Sequence, residues 1–250
     1  MSSSGTGPAA GDPLASLTAL EGVPSGFAST RDGVDAMLRD RGLRKTTPEL
    51  TTESLLRGAC ASGILEGSTS TLEEIRSGSG DETAQAAIRV STEALSLVPL
   101  MSRAPLQAFA RLHALAGKGI LPEEQLGRPR DAEAAERLRA LSRTLLTPTS
   151  APAMLVAAIV HADLATGSSF ASHNGIVARA AERLVLVARG VDEKSLLVPE
   201  AGHLRLRAEY ESNLRAYANA GGSNGVHAWL LYATEAYAVA AEIGPGQMLK

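Results

Sequence analysis

The sequence predicts an all-α protein. Ala and Leu are the commonest of its 250 residues, with Arg and Glu well represented, and aromatic residues make up only 3 %; Ala, Leu, Arg and Glu are all good helix formers. Apolar residues recur at three- and four-residue spacing in one stretch after another, as the buried face of a helix requires. No stretch alternates apolar and polar residues long enough to demand a sheet.

Composition also bounds the partners. The net charge of −3 makes no case for nucleic acid or an acidic membrane surface. No run of about 18 apolar residues is present to span a bilayer. The N-terminal segment lacks a basic stretch followed by an apolar run, so it does not read as a signal peptide, and a cytoplasmic location is expected. The single cysteine, Cys60, excludes an internal disulfide and argues against a zinc cluster.

Residues 1–25 are rich in Ser, Gly, Pro and Ala. They carry too little apolar surface to offset their ordering entropy and are expected to form a disordered tail. Residues 26–49 form an arm, with a short helix over 30–41 and a connection bearing Pro48. The domain proper is expected over 50–245 and opens with a helix over 51–67. Thr51 or Thr52 caps it, Glu53 suits its first turn, and Leu55, Leu56, Ala59, Cys60 and Ile64 make its stripe before Gly67 ends it. Ser77 to Gly80 reads as an exposed turn. A helix from Glu82 carries Ala86, Val90, Ala94 and Val98 and stops before Pro99. The next starts near Pro105 and carries Phe109, Leu112, His113 and Leu115; His113 suits a core-edge position with a backbone partner. Residues 117–130 contain three Gly and two Pro and read as a loop. A charged amphipathic helix follows over Asp131 to Leu146, and an apolar one runs from near Pro152 through Leu164. After a connector, helices are expected over Leu204 to Ala220 and Gly225 to Ile243, with Tyr210, Tyr217 and Trp229 packed inside.

The polar loop between the apolar helix and its successor is the candidate site. Gly167-Ser168-Ser169 breaks the first helix, and Asn174-Gly175 opens the second. On that second helix Ile176, Ala180, Leu184 and Val187 share a face, with Arg179 and Arg183 one turn apart and clear of it. A helix N-terminus leaves N–H groups unpaired and carries partial positive charge. Together with Arg179 it makes a candidate anion site, although the same pattern also describes an ordinary turn between two core helices.

The stretch Ser168 to Arg179, SSFASHNGIVAR, resembles a decayed form of the Fic-family motif HxFx(D/E)GNGRxxR. Phe170, Asn174, Gly175 and Arg179 match. Ser168 stands at the catalytic histidine and Ser172 at the magnesium-binding acid, while His173 replaces a glycine and Ile176 the first arginine. Upstream, Ser62-Gly-Ile-Leu-Glu66-Gly67 resembles the (S/T)xxxE(G/N) signature of the inhibitory helix that precedes many Fic domains. The pair Leu112-His113 resembles the helix leading to the Fic flap, and Gly127 to Arg130 resembles the flap's Gly-x-x-Arg. The pieces stand in the family's order over roughly residues 50–240.

This resemblance implies a Fic-like helical bundle with a small β-hairpin flap near 117–130, whose exposed backbone would accept a strand from a protein partner. It implies ATP or another nucleotide as ligand, held at Asn174, Gly175 and Arg179. It also implies that Glu66 faces Arg179 as an inhibitory residue. Adenylyl transfer needs a base and a metal-held phosphate; Ser168 lacks a usable pKa and Ser172 cannot hold magnesium as a carboxylate does. No metal ligand is therefore assigned. The expectation is a catalytically degenerate Fic-like protein that binds a nucleotide or phosphate. Two alternatives stay open: an active nucleotidyl transferase using His173 as a displaced base, and a purely structural helical module.

Overall fold

In the computed structural model, residues 11–39, 48–219 and 223–247 are described, with side chains for all of these but residues 223 and 245–247. Twelve α-helices lie among them, and no strand. The first six are α1 (Val23–Leu38), α2 (Pro48–Leu65), α3 (Leu72–Ser77), α4 (Glu82–Ala94), α5 (Val98–Arg103) and α6 (Pro105–Gly117). The others are α7 (Ala132–Leu146), α8 (Ala153–Thr166), α9 (Asn174–Ala188), α10 (Pro199–Arg205), α11 (Arg207–Asn219) and α12 (Ser223–Gln247).

The antiparallel pair α8 and α9 forms the centre. Ten of the fourteen residues of α8 are buried, so the helix is apolar all round, as a fully enclosed helix must be. Around α9 stand α2, α4, α5, α6, α8 and α10; α12 closes the other side against α1, α8, α10 and α11. Arg179 and Arg183, expected clear of the apolar face, are not clear of the core. Both are buried with Glu182 among the interior residues of α9.

Helix α2 differs from its predicted stripe in the same way. Leu55, Leu56 and Ile64 are only half-buried, whereas Ser54, Gly58 and Ser62, four residues apart, face inward. Two buried arginines on α9 need space and acceptors, and this row of small polar residues supplies both.

The segment up to residue 25 is not a free tail where it is described. Leu14 is buried and the Asp12 carboxylate accepts from the Ser150 backbone N–H. Helix α1 already starts at Val23, and Val23, Phe27, Thr30 and Val34 form its buried row. Residues 1–10 lie outside the described residues. Helices α3, α5 and α10 are short elements that the sequence pattern does not announce. Thr71 and Glu74 cap α3 reciprocally, and Pro99 and Pro199 sit at the first turns of α5 and α10, where a missing N–H is harmless.

The β-hairpin expected near 117–130 is absent. The segment consists of turns and one 3-10 turn at Glu123–Gln125. Pro122 and Pro129 each remove a ladder donor. The N–H groups of Gly127 and Arg130 go to His113 Nδ1 and Ser169 O instead of to a facing strand.

Candidate functional site

The loop between α8 and α9 is closed by its own residues. Asn174 accepts from the Phe170 N–H at 2.9 Å and donates its amide to the Phe170 carbonyl at 3.1 Å. Its side chain is thus committed to loop shape, and what it offers an anion is its backbone N–H. Phe170 is buried and stacks on His113, ring centroids 4.3 Å apart. His113 in turn accepts from Gly127, so one imidazole joins α6, the 117–130 segment and the loop. Both readings of His113 hold together: it has a backbone partner and it stands beside the flap segment. Burial pushes its pKa down to about 4.

Two non-glycine residues in the loop take left-handed backbone conformations, Ser168 with φ +44° and His173 with φ +57°. His173 occupies the motif's glycine position and keeps glycine-like geometry at a strain cost of about 1–2 kcal/mol. Its Nδ1 lies 2.5 Å from Ser172 Oγ.

At the start of α9 the N–H groups of Asn174, Gly175 and Ile176 have no acceptor among the described residues, since the first paired one is Val177 N–H to His173 O. Glu66, one residue past the end of α2, lies over this turn. A Cβ built on Gly175 would overlap the Glu66 carboxylate, so glycine is required there by close approach.

Glu66 Oε1 meets Arg179 Nη2 at 2.7 Å, the contact expected from the sequence. Arg179 is 1 % exposed and the Glu66 side chain 32 %. Arg179 also donates through Nε to Ser62 Oγ at 2.9 Å, through Nη2 to Ser62 O at 3.2 Å, and through Nη1 to Tyr210 Oη at 2.9 Å. Four of a guanidinium's five N–H groups are then committed. Burial opposes the charge, but Tyr210 and Glu66 beside it raise the pKa above the ordinary value. Ser62 and Glu66 are the two polar positions of the α2 signature, and both hold the same arginine.

The structure adds groups that sequence reasoning missed. Behind Arg179, Glu182 is fully buried and bonded to His161 Nδ1 at 2.8 Å, His203 Nε2 at 3.1 Å and Tyr237 Oη at 2.6 Å. One turn on, Arg183 donates to Glu200, Ser54, Ser195 and the carbonyls of Ser195 and Leu197. A signal for His161 was available, because it interrupts the apolar run Ala153 to Leu164. None pointed to Tyr210, whose partners are remote in sequence.

The helical bundle that holds this loop has counterparts among solved structures. The chain matches a Fic family protein from Desulfovibrio desulfuricans G20 with a TM-score of 0.73 and 17 % identity, covering 89 % of this chain and 74 % of that one. It matches Fic-1 (residues 134–508) from C. elegans with a TM-score of 0.69 and 18 % identity, covering 95 % and 74 %. At such identities the likeness shows the fold, and this chain has a Fic-like fold. No family model and no curated protein matches the sequence. No helix among the described residues is long and apolar enough to cross a membrane.

Proposed function

We propose that this chain is a catalytically degenerate Fic-like protein that binds a nucleotide or phosphate at the 168–179 loop, with Glu66 occupying the anion position at rest. The observation that carries this reading is the placement of the Glu66 carboxylate. It sits on the unpaired first turn of α9 while paired with the buried Arg179. A carboxylate there is the internal counterpart of a phosphate, since a helix N-terminus and a guanidinium both favour an anion. Withdrawal of Glu66 would leave an Arg179 Nη2 N–H, the uncommitted Nη1 N–H and three backbone N–H groups for phosphate oxygens. Degeneracy rests on Ser168 and Ser172, which supply neither a base nor a magnesium ligand.

Calorimetry with ATP, ADP, AMP and inorganic phosphate on the parent protein and on Glu66→Ala tests the reading. Binding is expected to be tighter in Glu66→Ala. Silence from both proteins at millimolar concentrations would leave the structural-module reading in its place. The 117–130 segment, tied to the loop through Arg130 N–H and Ser169 O, is the place proposed for a partner segment, without strand pairing.

The contact between His173 Nδ1 and Ser172 Oγ favours a second reading, an active transferase with His173 as base. Incubation with labelled ATP separates the two. The degenerate protein transfers no AMP to itself or to added protein, whereas transfer abolished by His173→Ala establishes the transferase.

A further inference from the structure

The Arg179 guanidinium is the near end of a hydrogen-bonded chain that runs through the core. Arg179 Nη1 donates to Tyr210 Oη at 2.9 Å, and Tyr210 Oη meets His161 Nε2 at 3.0 Å. His161 Nδ1 meets Glu182 Oε2 at 2.8 Å. Glu182 meets His203 Nε2, and His203 Nδ1 meets Tyr232 Oη at 2.8 Å. Tyr237 Oη takes the other Glu182 oxygen. The residues come from α8, α9, α10, α11 and α12, and His161, His203 and Glu182 have no solvent exposure.

Donor counting assigns every proton. A guanidinium only donates, so Tyr210 Oη accepts from Arg179 and its own O–H must point at His161 Nε2. His161 Nε2 is then the acceptor, and the ring's single proton sits on Nδ1 and goes to Glu182. Glu182, as a carboxylate, accepts from His161, His203 and Tyr237. His203 spends its proton on Glu182 and accepts at Nδ1 from Tyr232. Each group is satisfied with both rings neutral, and no position is left for a metal, although His161, Glu182 and His203 have ligand atoms within 4.8 Å of one another.

We propose that Tyr210 and His161 are positioning residues, which hold the Arg179 guanidinium in its anion-receiving orientation through protons anchored on Glu182. This inference rests on the anion-site reading for its ligand, but the orientation itself is a property of the unliganded chain. Glu66 is partly exposed and holds Arg179 by one edge. The Tyr210 hydroxyl holds the other edge from inside, so Arg179 stays aimed when Glu66 leaves. Ser62 accepts from Nε and Nη2 and leaves Nη1 to Tyr210 alone.

The test compares Tyr210→Phe with Tyr232→Phe, both made in the Glu66→Ala protein. Each removes one hydroxyl from the same buried network, but only the first touches Arg179. Two readouts are taken: ATP affinity by calorimetry, and the 15N side-chain signals of Arg179, whose two Nη groups resolve when the guanidinium is pinned. Tyr210→Phe is expected to weaken ATP binding about tenfold or more, the worth of a buried hydrogen bond to a charge, and to merge the Nη signals. Tyr232→Phe is expected to change affinity less than about twofold, because its lost bond is not shared with Arg179. Equal effects of the two variants on affinity, or an unchanged Arg179 spectrum in Tyr210→Phe, would overturn the proposal. If Glu66→Ala binds no ATP, the anion-site reading fails and the Arg179 spectrum alone decides the positioning role. Stoichiometric metal in the purified protein, released by His161→Ala, would overturn the proton assignment and the proposal with it.

Discussion

Glu66 stands at the boundary between a buried and an exposed ion pair, with its carboxylate partly in water and its arginine wholly enclosed. In Glu66→Ala, Arg179 keeps its bonds to Ser62 and Tyr210. The cost is therefore expected below that of a fully buried pair, about 1–3 kcal/mol, read from urea unfolding. Arg183 offers the contrast. Its partner Glu200 is enclosed with it, and the guanidinium reaches three residues besides, Ser54, Ser195 and Leu197. Arg183→Ala should cost about 3–5 kcal/mol, because it strands a buried carboxylate and several acceptors. Comparable losses in the two variants would show that the Glu66 contact is more enclosed than its geometry implies.

At the scale of elements, the 117–130 segment substitutes side-chain and backbone anchors for a hairpin. Gly127 has φ +70°, and a Cβ there would lie 2.7 Å from the Ala110 carbonyl. Its N–H is the bond to His113, which carries Phe170 on its ring face. Gly127→Ala should thus destabilise the chain by about 1–3 kcal/mol through strain and steric overlap. It should also loosen the loop at Phe170, seen as faster amide exchange at Phe170 and Arg130, whose N–H groups are bonded to Asn174 Oδ1 and Ser169 O. Wild-type exchange rates at those two amides would show that His113 does not transmit the contact.

For the whole molecule, the interior holds imidazoles that resist protonation. Burial lowers both His113 and His161 to about 4, against Glu182 in the case of His161, and burial also lowers His173. The unfolded chain takes up these protons near 6.5, so between about pH 6.5 and 4 it binds more protons than the fold does. The stability these groups contribute is complete above about 6.5 and is lost as pH falls toward 4. For His113 and His161 together the loss from pH 7 to pH 5 is on the order of 3 kcal/mol. Burial also opposes the charge of Glu182, but the bonds from His161 and His203 hold its pKa below the ordinary carboxylate value, which adds a further loss only under about pH 4.5. Burial raises Asp163 and Asp192, and these act in the opposite sense, near the ordinary carboxylate range. Thermal melts should show a clear fall in Tm from pH 7 to pH 5, reduced in His161→Phe relative to its own value at pH 7. A flat profile over that window would contradict the neutral assignment of the rings.

Helix content, most helix positions and the breaks at Gly67, Gly167 and Gly190 were legible in the sequence, because apolar periodicity and glycine placement are local; the pairing of Glu66 with Arg179 was what the resemblance of the α2 signature and the loop motif to the Fic family implied. Tertiary structure alone decided that Ser54, Gly58 and Ser62 of α2 face inward where Leu55 and Leu56 do not, that residues 117–130 form no hairpin, and that α10 exists. It also decided that Arg179 is held from behind by Tyr210, His161 and Glu182. In each case the deciding interaction joins groups far apart in the chain. Tyr210 lies 31 residues from Arg179 and 49 from His161. A buried polar group is stable only where a complementary group arrives from another helix, and periodicity records burial by apolarity alone.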